Sequence, residues 1–284
     1  MKPAPFQYHA PRTLDEVLGL LGTLEDARVL AGGQSLMPML NMRVLQPSHI
    51  VDLNRVDGLS YIRLEGEVLE IGAMTRQRDI EFSEVVREAF PLLHEAVRHI
   101  GHRQTRNRGT LGGSLCQLDP SAELVTVAAA VGATIIAASK AGVREIPFAE
   151  FPLGLMTPAI ESNEVLTAVR FPLWKQGHGF AFEEFARRHG DFALASAAVL
   201  LEMNGARITR ASVTVGGVES RPQHPVTVLE GRQASAALFE EAAEACRKLD
   251  AMNDVHVSAE YRRQLARVLV RRALEKAYGR IAKG

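Results

Sequence analysis

Two stretches hold residues whose types and spacing could do chemistry. Residues 29–43 read VLAGGQSLMPMLNMR: after Ala31, an apolar run breaks on Gly32 and Gly33, passes Gln34 and Ser35, and turns apolar again at Leu36. Residues 108–124 read RGTLGGSLCQLDPSAEL, with Gly112 and Gly113 set between Thr110 and Ser114. Adjacent glycines remove both Cβ atoms, so the peptide can approach a ligand closely or take positive φ. Successive N–H groups in such a turn form a concavity suited to phosphate oxygens. Ser35, Thr110 and Ser114 would add hydroxyl donors. A tight turn explains a single Gly-Gly pair more often than phosphate does. The stretch TVGGVES, beginning at Thr214, has the glycines without the pattern and reads as a strand end or bulge.

The second stretch carries further polar groups. His102, Arg103, Arg106 and Arg108 precede its glycines, and Asp119 and Glu123 follow them. Three arginines could neutralise a diphosphate, or each could serve a structural carboxylate. Glu123 could accept hydrogen bonds from ribose or ribityl hydroxyls, or simply be an acid favoured by a helix N-terminus. His94 and His99 read as structural; His102 stands out because it adjoins the arginine run. No Gly-x-Gly-x-x-Gly and no Walker spacing occurs, so a nucleotide site here belongs to a fold other than Rossmann or P-loop. Cys116 and Cys246 lie far apart with no Cys/His cluster, so this chain alone would hold neither an iron–sulfur cluster nor a structural zinc. No Ser-His-Asp pattern or carboxylate pair recommends hydrolysis.

These groups need elements to position them. Thr13 and Glu16 form a capping-box pattern ahead of the stripe Leu14, Val17, Leu18, Leu21. ARVLAGG, HIVDL and VLEIGAM read as strands, followed by a helix capped at Thr75 and another around PLLHEAVRHI. SAELVTVAAAVG suits a buried helix, and ATIIAASKAGVREI suits two strands joined by a Lys-Ala-Gly turn. A composition shift at 172–179 marks a domain boundary. Beyond it, SAAVLLEMNGARITRASVTVGG reads as a hairpin turning on Asn204-Gly205. Two helices close the chain, the last with a basic face that is either solvated or turned to a partner subunit.

The whole chain bounds the answer. Its 284 residues are 46% hydrophobic, enough for one large or two ordinary domains. Lys+Arg and Asp+Glu are both 33 and aromatics only 6%, which argues against a nucleic-acid surface. The N-terminus lacks a signal-peptide core, and no apolar run approaches the roughly 20 residues of a membrane span. A cytoplasmic protein is expected.

Taken together, AGGQSLMPMLNMR, RNRGTLGGSLCQLDPSAEL and FEEFARRHGDFALASAAV, in this order and spacing, resemble the FAD-binding medium subunit of molybdenum hydroxylases. That family includes carbon monoxide dehydrogenase, quinoline and nicotine dehydrogenases and the flavin segment of xanthine dehydrogenase. The resemblance implies an α+β fold of the vanillyl-alcohol-oxidase/PCMH type. Residues 1–175 would form an FAD-binding domain of two α/β subdomains. Residues 176–284 would form a C-terminal domain with a three-stranded antiparallel sheet and a helical bundle. It further implies non-covalent FAD, with Ala31, Gly32, Gly33, Gln34, Ser35 and Leu36 in one flavin loop and Thr110, Gly112, Gly113 and Ser114 in the other. Glu123 matches a family Asp on the flavin hydroxyls, Leu166 a position whose backbone lies near the ring, and Phe192 an aromatic beside it. Ordinary core packing is the competing reading of Phe192.

The same resemblance implies partners. Molybdopterin would sit on a large subunit and two [2Fe–2S] clusters on a small one, assembled as a dimer of heterotrimers. Electrons would pass from the clusters through this chain to an external acceptor. The alternative is a self-sufficient flavin oxidoreductase of the same fold.

Overall fold

The computed structural model describes residues 1–281. Its first subdomain is a parallel sheet with short helices. Strands β1 (Gln7–His9), β2 (Ala27–Leu30) and β3 (His49–Asp52) lie in the order β1-β3-β2. Helix α1 (Leu14–Leu21) begins on the expected capping box: the Thr13 hydroxyl accepts from the Glu16 amide, and Glu16 accepts from the Thr13 amide. It buries Val17, Leu18 and Leu21 in a core shared with Val51 and Leu53. Helix α2 (Leu36–Asn41) follows the first glycine loop directly.

The second subdomain is built on an antiparallel sheet. Strands β4 (Ile62–Glu65), β5 (Val68–Gly72), β6 (Thr134–Ser139), β7 (Gly142–Pro147) and β10 (Val165–Pro172) run in the order β4-β5-β10-β6-β7. A small hairpin, β8 (Pro152–Gly154) and β9 (Thr157–Pro158), stands apart. Between β5 and β6 lie six short helices, α3 (Gln77–Phe82), α4 (Glu84–Ala89), α5 (Pro91–Val97), α6 (Arg103–Arg108), α7 (Leu111–Gln117) and α8 (Glu123–Val131). The alanine-rich α8 is buried over nearly its whole length, as its composition predicts. The helix expected to be capped at Thr75 starts later, with Arg76 as N-cap. The Thr75 hydroxyl is taken up by Tyr61 instead, accepting from its amide and donating to its carbonyl, both at 3.0 Å.

The C-terminal domain holds β11 (Gly179–Phe185), β12 (Ala195–Asn204) and β13 (Arg207–Gly216), all antiparallel, with α9 (Ala236–Glu244) and α10 (Ala259–Ile281). Both faces of this sheet are buried. Phe182, Ala198 and Leu200 join the core that contains α5 and α8, while Ala181, Ala197, Val199 and Leu201 face α9 and α10. That explains why β12 is a continuous apolar run rather than an alternating one. The hairpin turn is displaced by one residue from expectation. Asn204 pairs with Arg207, so Gly205 and Ala206 form the loop, and a bulge at Glu202/Met203 sets that register. Only Gly205 there takes positive φ, +59°.

The basic face of α10 is neither free nor merely solvated. Arg267 pairs with Glu240 and Glu244, and Arg271 with Glu275. Lys276 reaches Glu183 at 2.7 Å and Glu95 of α5 at 2.5 Å, and Arg280 also reaches Glu95, at 2.6 Å. These contacts tie the C-terminal helix to the second subdomain.

Candidate functional site

The two glycine loops face one cavity of about 410 Å³, within the usual range for ligand pockets. Ala31, Gly32, Gly33, Gln34, Ser35 and Leu36 line one side, and Thr110, Gly112, Gly113 and Ser114 the other. Asp119, Glu123, Leu166 and Phe192 complete the set brought together from distant sequence. His102, Arg103, Arg106 and Arg108 do not line it.

The loops contribute differently. In the first, no hydrogen bond engages the amides of Gly33, Gln34 or Ser35 among the described residues, and Gly33 has φ +72°. These are donors available to an anion. In the second, the amides are already taken up by protein. Leu111 donates to the Thr75 carbonyl, Gly112 to Ala73, Gly113 to the Thr110 hydroxyl and Ser114 to the Thr110 carbonyl. Its glycines answer a packing need: a Cβ on Gly112 would stand 2.7 Å from that of Ala73, and one on Gly113 2.7 Å from Thr110 Oγ1. The second loop therefore offers the Thr110 and Ser114 hydroxyls and a close backbone surface.

The far wall is acidic. Asp119 accepts from the Ser121 amide at 2.9 Å, and burial pushes its carboxyl up. Glu123 is only 8% exposed and forms no ion pair among the described residues. Burial, aided by the charges of Glu184 and Asp119, lifts its carboxyl to about 8, against the opposing pull of its own backbone amide and Arg106. A carboxyl so placed can accept hydrogen bonds from the hydroxyls of a sugar or ribityl chain.

Leu166 stands at a bulge. The β10–β6 register shifts between Leu166 and Ala168, and the Thr167 carbonyl accepts from Ala73 at 2.9 Å. The preceding segment is pinned by Glu164, which binds Arg144 through both oxygens at 2.7 and 2.8 Å and accepts from the Glu161 amide. Phe192 is 70% exposed at the cavity mouth, which excludes core packing. Its loop is fastened just beyond it, where Ser121 donates to the Ala193 carbonyl and Arg262 to that of Leu194.

The polar residues ahead of the second loop have other duties. Arg106 forms a half-buried pair with Glu81 at 2.8 Å and donates to the Ile100 carbonyl. His102 stacks on His189, ring centroids 6.2 Å apart, beneath the loop that carries Phe192. Arg103 and Arg108 are exposed. Conversely, sequence reading missed Met74, Gln77, Ile100 and Ile160, which line the cavity from three separate segments. No motif marks them, because only the tertiary fold gathers them.

A cavity with free loop amides on one side and a half-buried and a buried carboxyl on the other, framed by these sheets, defines a nucleotide-cofactor-binding protein of α+β architecture. Comparison with known proteins makes this specific. Residues 4–174 match the family model described as FAD binding domain in molybdopterin dehydrogenase, and residues 180–277 the CO dehydrogenase flavoprotein C-terminal domain. The chain belongs to this FAD-binding family of molybdopterin dehydrogenase flavoproteins. It is 40% identical to the 6-hydroxypseudooxynicotine dehydrogenase complex subunit alpha of Paenarthrobacter nicotinovorans, covering 99% of this chain and 97% of that one. The carbon monoxide dehydrogenase structure from Hydrogenophaga pseudoflava superposes with TM-score 0.96 at 35% identity, covering 99% of each chain. Quinoline 2-oxidoreductase from Pseudomonas putida 86 gives TM-score 0.95 at 37% identity over 99% of this chain and 100% of that one.

Proposed function

We propose that FAD lies non-covalently in this cavity, with its diphosphate between residues 31–36 and 110–114. The amides of Gly33, Gln34 and Ser35 then receive the phosphate oxygens, and the Thr110 and Ser114 hydroxyls flank them. Asp119 and Glu123 accept from the cofactor's hydroxyls. Leu166 borders the ring through its bulged backbone, and Phe192 shields it from outside. When bound, FAD supplies one-electron and hydride chemistry; the protein binds and orients it and excludes water. The observation that carries this reading is the meeting, in one cavity, of loop amides without a protein partner and the carboxyls of half-buried Asp119 and buried Glu123, neither of which has an ion-pair partner among the described residues.

In this reading residues 1–175 form the flavin domain and 176–284 the C-terminal domain. The chain is the electron-transfer subunit of a cytoplasmic molybdenum hydroxylase. It takes electrons from the [2Fe–2S] clusters of a small subunit and hands them to an external acceptor. A large molybdopterin subunit handles the organic substrate, an N-heteroaromatic, an aldehyde or carbon monoxide, and two copies of each subunit assemble. Relatives named for 6-hydroxypseudooxynicotine, quinoline and carbon monoxide support this range. Among the described residues no helix is long and apolar enough to cross a membrane, and no metal-ligating cluster occurs.

Rapid mixing of the flavin-depleted assembly with substrate tests the direction of flow. Upstream centres should still be reduced while turnover with the acceptor stops. Failure of upstream reduction without flavin would place this chain on the entry side and defeat the reading. Turnover of an organic substrate by the isolated chain would favour a self-sufficient flavin oxidoreductase.

A further inference from the structure

The arginines nearest the second loop in sequence do not serve the cavity, yet an anionic diphosphate calls for positive charge. One arginine from a different element reaches both loops. Arg76, between β5 and α3, donates through Nη1 to the Arg108 carbonyl, immediately ahead of the second glycine loop. Its Nη2 donates to Asn54 Oδ1 at 2.6 Å. The Asn54 amide in turn donates to the Ala31 carbonyl, in the first loop, at 2.9 Å. Asn54 is itself held by Asp52, which accepts from its backbone and side-chain amides and from the Tyr8 hydroxyl. The chain from Ala31 through Asn54 and Arg76 to Arg108 thus spans the gap between the loops from behind. The register is reinforced by an antiparallel bridge between Arg76 and Thr110.

The charge of Arg76 is not balanced by this network. Its contacts are two neutral oxygens, and among the described residues it forms no ion pair. It is half-buried, and burial, with the charge of Arg108, lowers its affinity for its proton while Asp79 and Asp52 oppose them from beyond contact. A desolvated guanidinium without a carboxylate partner is unfavourable unless an anion is supplied from elsewhere.

We propose that Arg76 and Asn54 are a positioning pair for the cofactor's diphosphate. They fix the distance between the two glycine loops, and Arg76 supplies from behind them the positive field that the loop amides lack. This rests on the placement of FAD given above. Neither residue lines the cavity, so both act through the loops.

The test compares FAD with riboflavin, which shares the ring and ribityl chain but has no phosphate. Both are titrated into the full chain, in its native assembly, after flavin removal. Arg76→Gln and Asn54→Asp, which would neutralise Arg76 and lose the donor to Ala31, should weaken FAD at least about tenfold, as removal of a nearby charge from a partly desolvated site would. Riboflavin binding should change less than about threefold, because it lacks the anion that senses the charge. Arg76→Lys should recover most of the FAD-over-riboflavin preference, and the wild-type preference should shrink with added salt. Equal loss of both ligands would leave only a structural role and overturn the proposal, as would an unchanged preference in Arg76→Gln. If the wild-type protein binds riboflavin as tightly as FAD, the placement of the diphosphate itself fails, and the proposal with it.

Discussion

The backbone of Gly32 lies against the carbonyl oxygen of Arg108, so closely that a Cβ on Gly32 would overlap it. The first glycine of the first loop therefore exists to let the second loop approach, whereas Gly33 beside it exists for its positive φ. Two residues that look alike in sequence answer different physical demands.

Substitutions should separate them. Gly32→Ala forces two backbones apart, and overpacking of this kind costs about 1–3 kcal/mol. It should lower Tm and abolish flavin retention together. Gly33→Ala meets only the side chains of Met37 and Leu30, at 3.2 and 3.3 Å, and pays about 1–2 kcal/mol for a left-handed conformation. Thermal unfolding and flavin content of both variants check this. A Gly32→Ala protein with wild-type Tm would show that the loops can separate freely.

Arg106, Arg103 and Arg108 should behave unlike one another. Arg106→Met leaves Glu81 half-buried and unpaired, at a cost of about 2–4 kcal/mol. Adding Glu81→Leu should restore much of that stability, since it removes the orphaned charge. Arg103→Gln and Arg108→Gln, both exposed, should stay within about 0.5 kcal/mol of wild type and keep their flavin. Loss of flavin without loss of stability in Arg106→Met would return this residue to the binding site.

What could be read beforehand follows from the range of the interactions. The Thr13–Glu16 box and the buried helix from Glu123 are local, so a few adjacent residues specify them. The glycine loops were legible as a motif, but which amides remain free was not. That depends on Thr75, Ala73 and Ala31, which approach only when β5 and β2 are in place. The arginine run was misleading for the same reason. Arg106 finds Glu81 twenty-five residues away, while Arg76, unremarkable in TRQRDI, reaches Asn54 and Arg108. The hairpin at Asn204 slipped by one residue because a bulge leaves no signature in a continuous apolar run such as β12.

Glu95 should make docking of the C-terminal helix acid-sensitive. Burial raises its carboxyl, but hydrogen bonds from Arg280 and Lys276 outweigh that and hold it below the usual range. A depressed carboxyl contributes stability above its unfolded value, near 4.3, and loses it as pH falls through the folded one. Glu95→Gln should cost about 1–3 kcal/mol near neutrality, discounted because Lys276 and Arg280 are partly exposed. Denaturant unfolding should show the gap between variant and wild type closing in acid. A gap that persists after Glu95 is protonated would mean that packing, not charge, holds the helix.

Glu123 should couple flavin binding to pH. Burial, and secondarily the charges of Glu184 and Asp119, raise its carboxyl to about 8 in the flavin-free cavity. Between an unfolded value near 4.3 and about 8, the native state holds a proton that the unfolded state has released. Stability of the flavin-free protein therefore falls as pH rises across that window and levels off above it. Cofactor hydroxyls that donate to the carboxylate favour its charged form, so FAD binding should release a proton. FAD affinity should rise with pH, by at most about tenfold per unit, until it levels off near the free carboxyl's value. In Glu123→Gln both dependences should flatten, because the amide cannot titrate. FAD titrations from about pH 6 to about pH 9, with an indicator dye to count protons, read both effects. A wild-type affinity that is flat over this range, or proton release that survives in Glu123→Gln, would mean that this carboxyl does not receive the cofactor's hydroxyls.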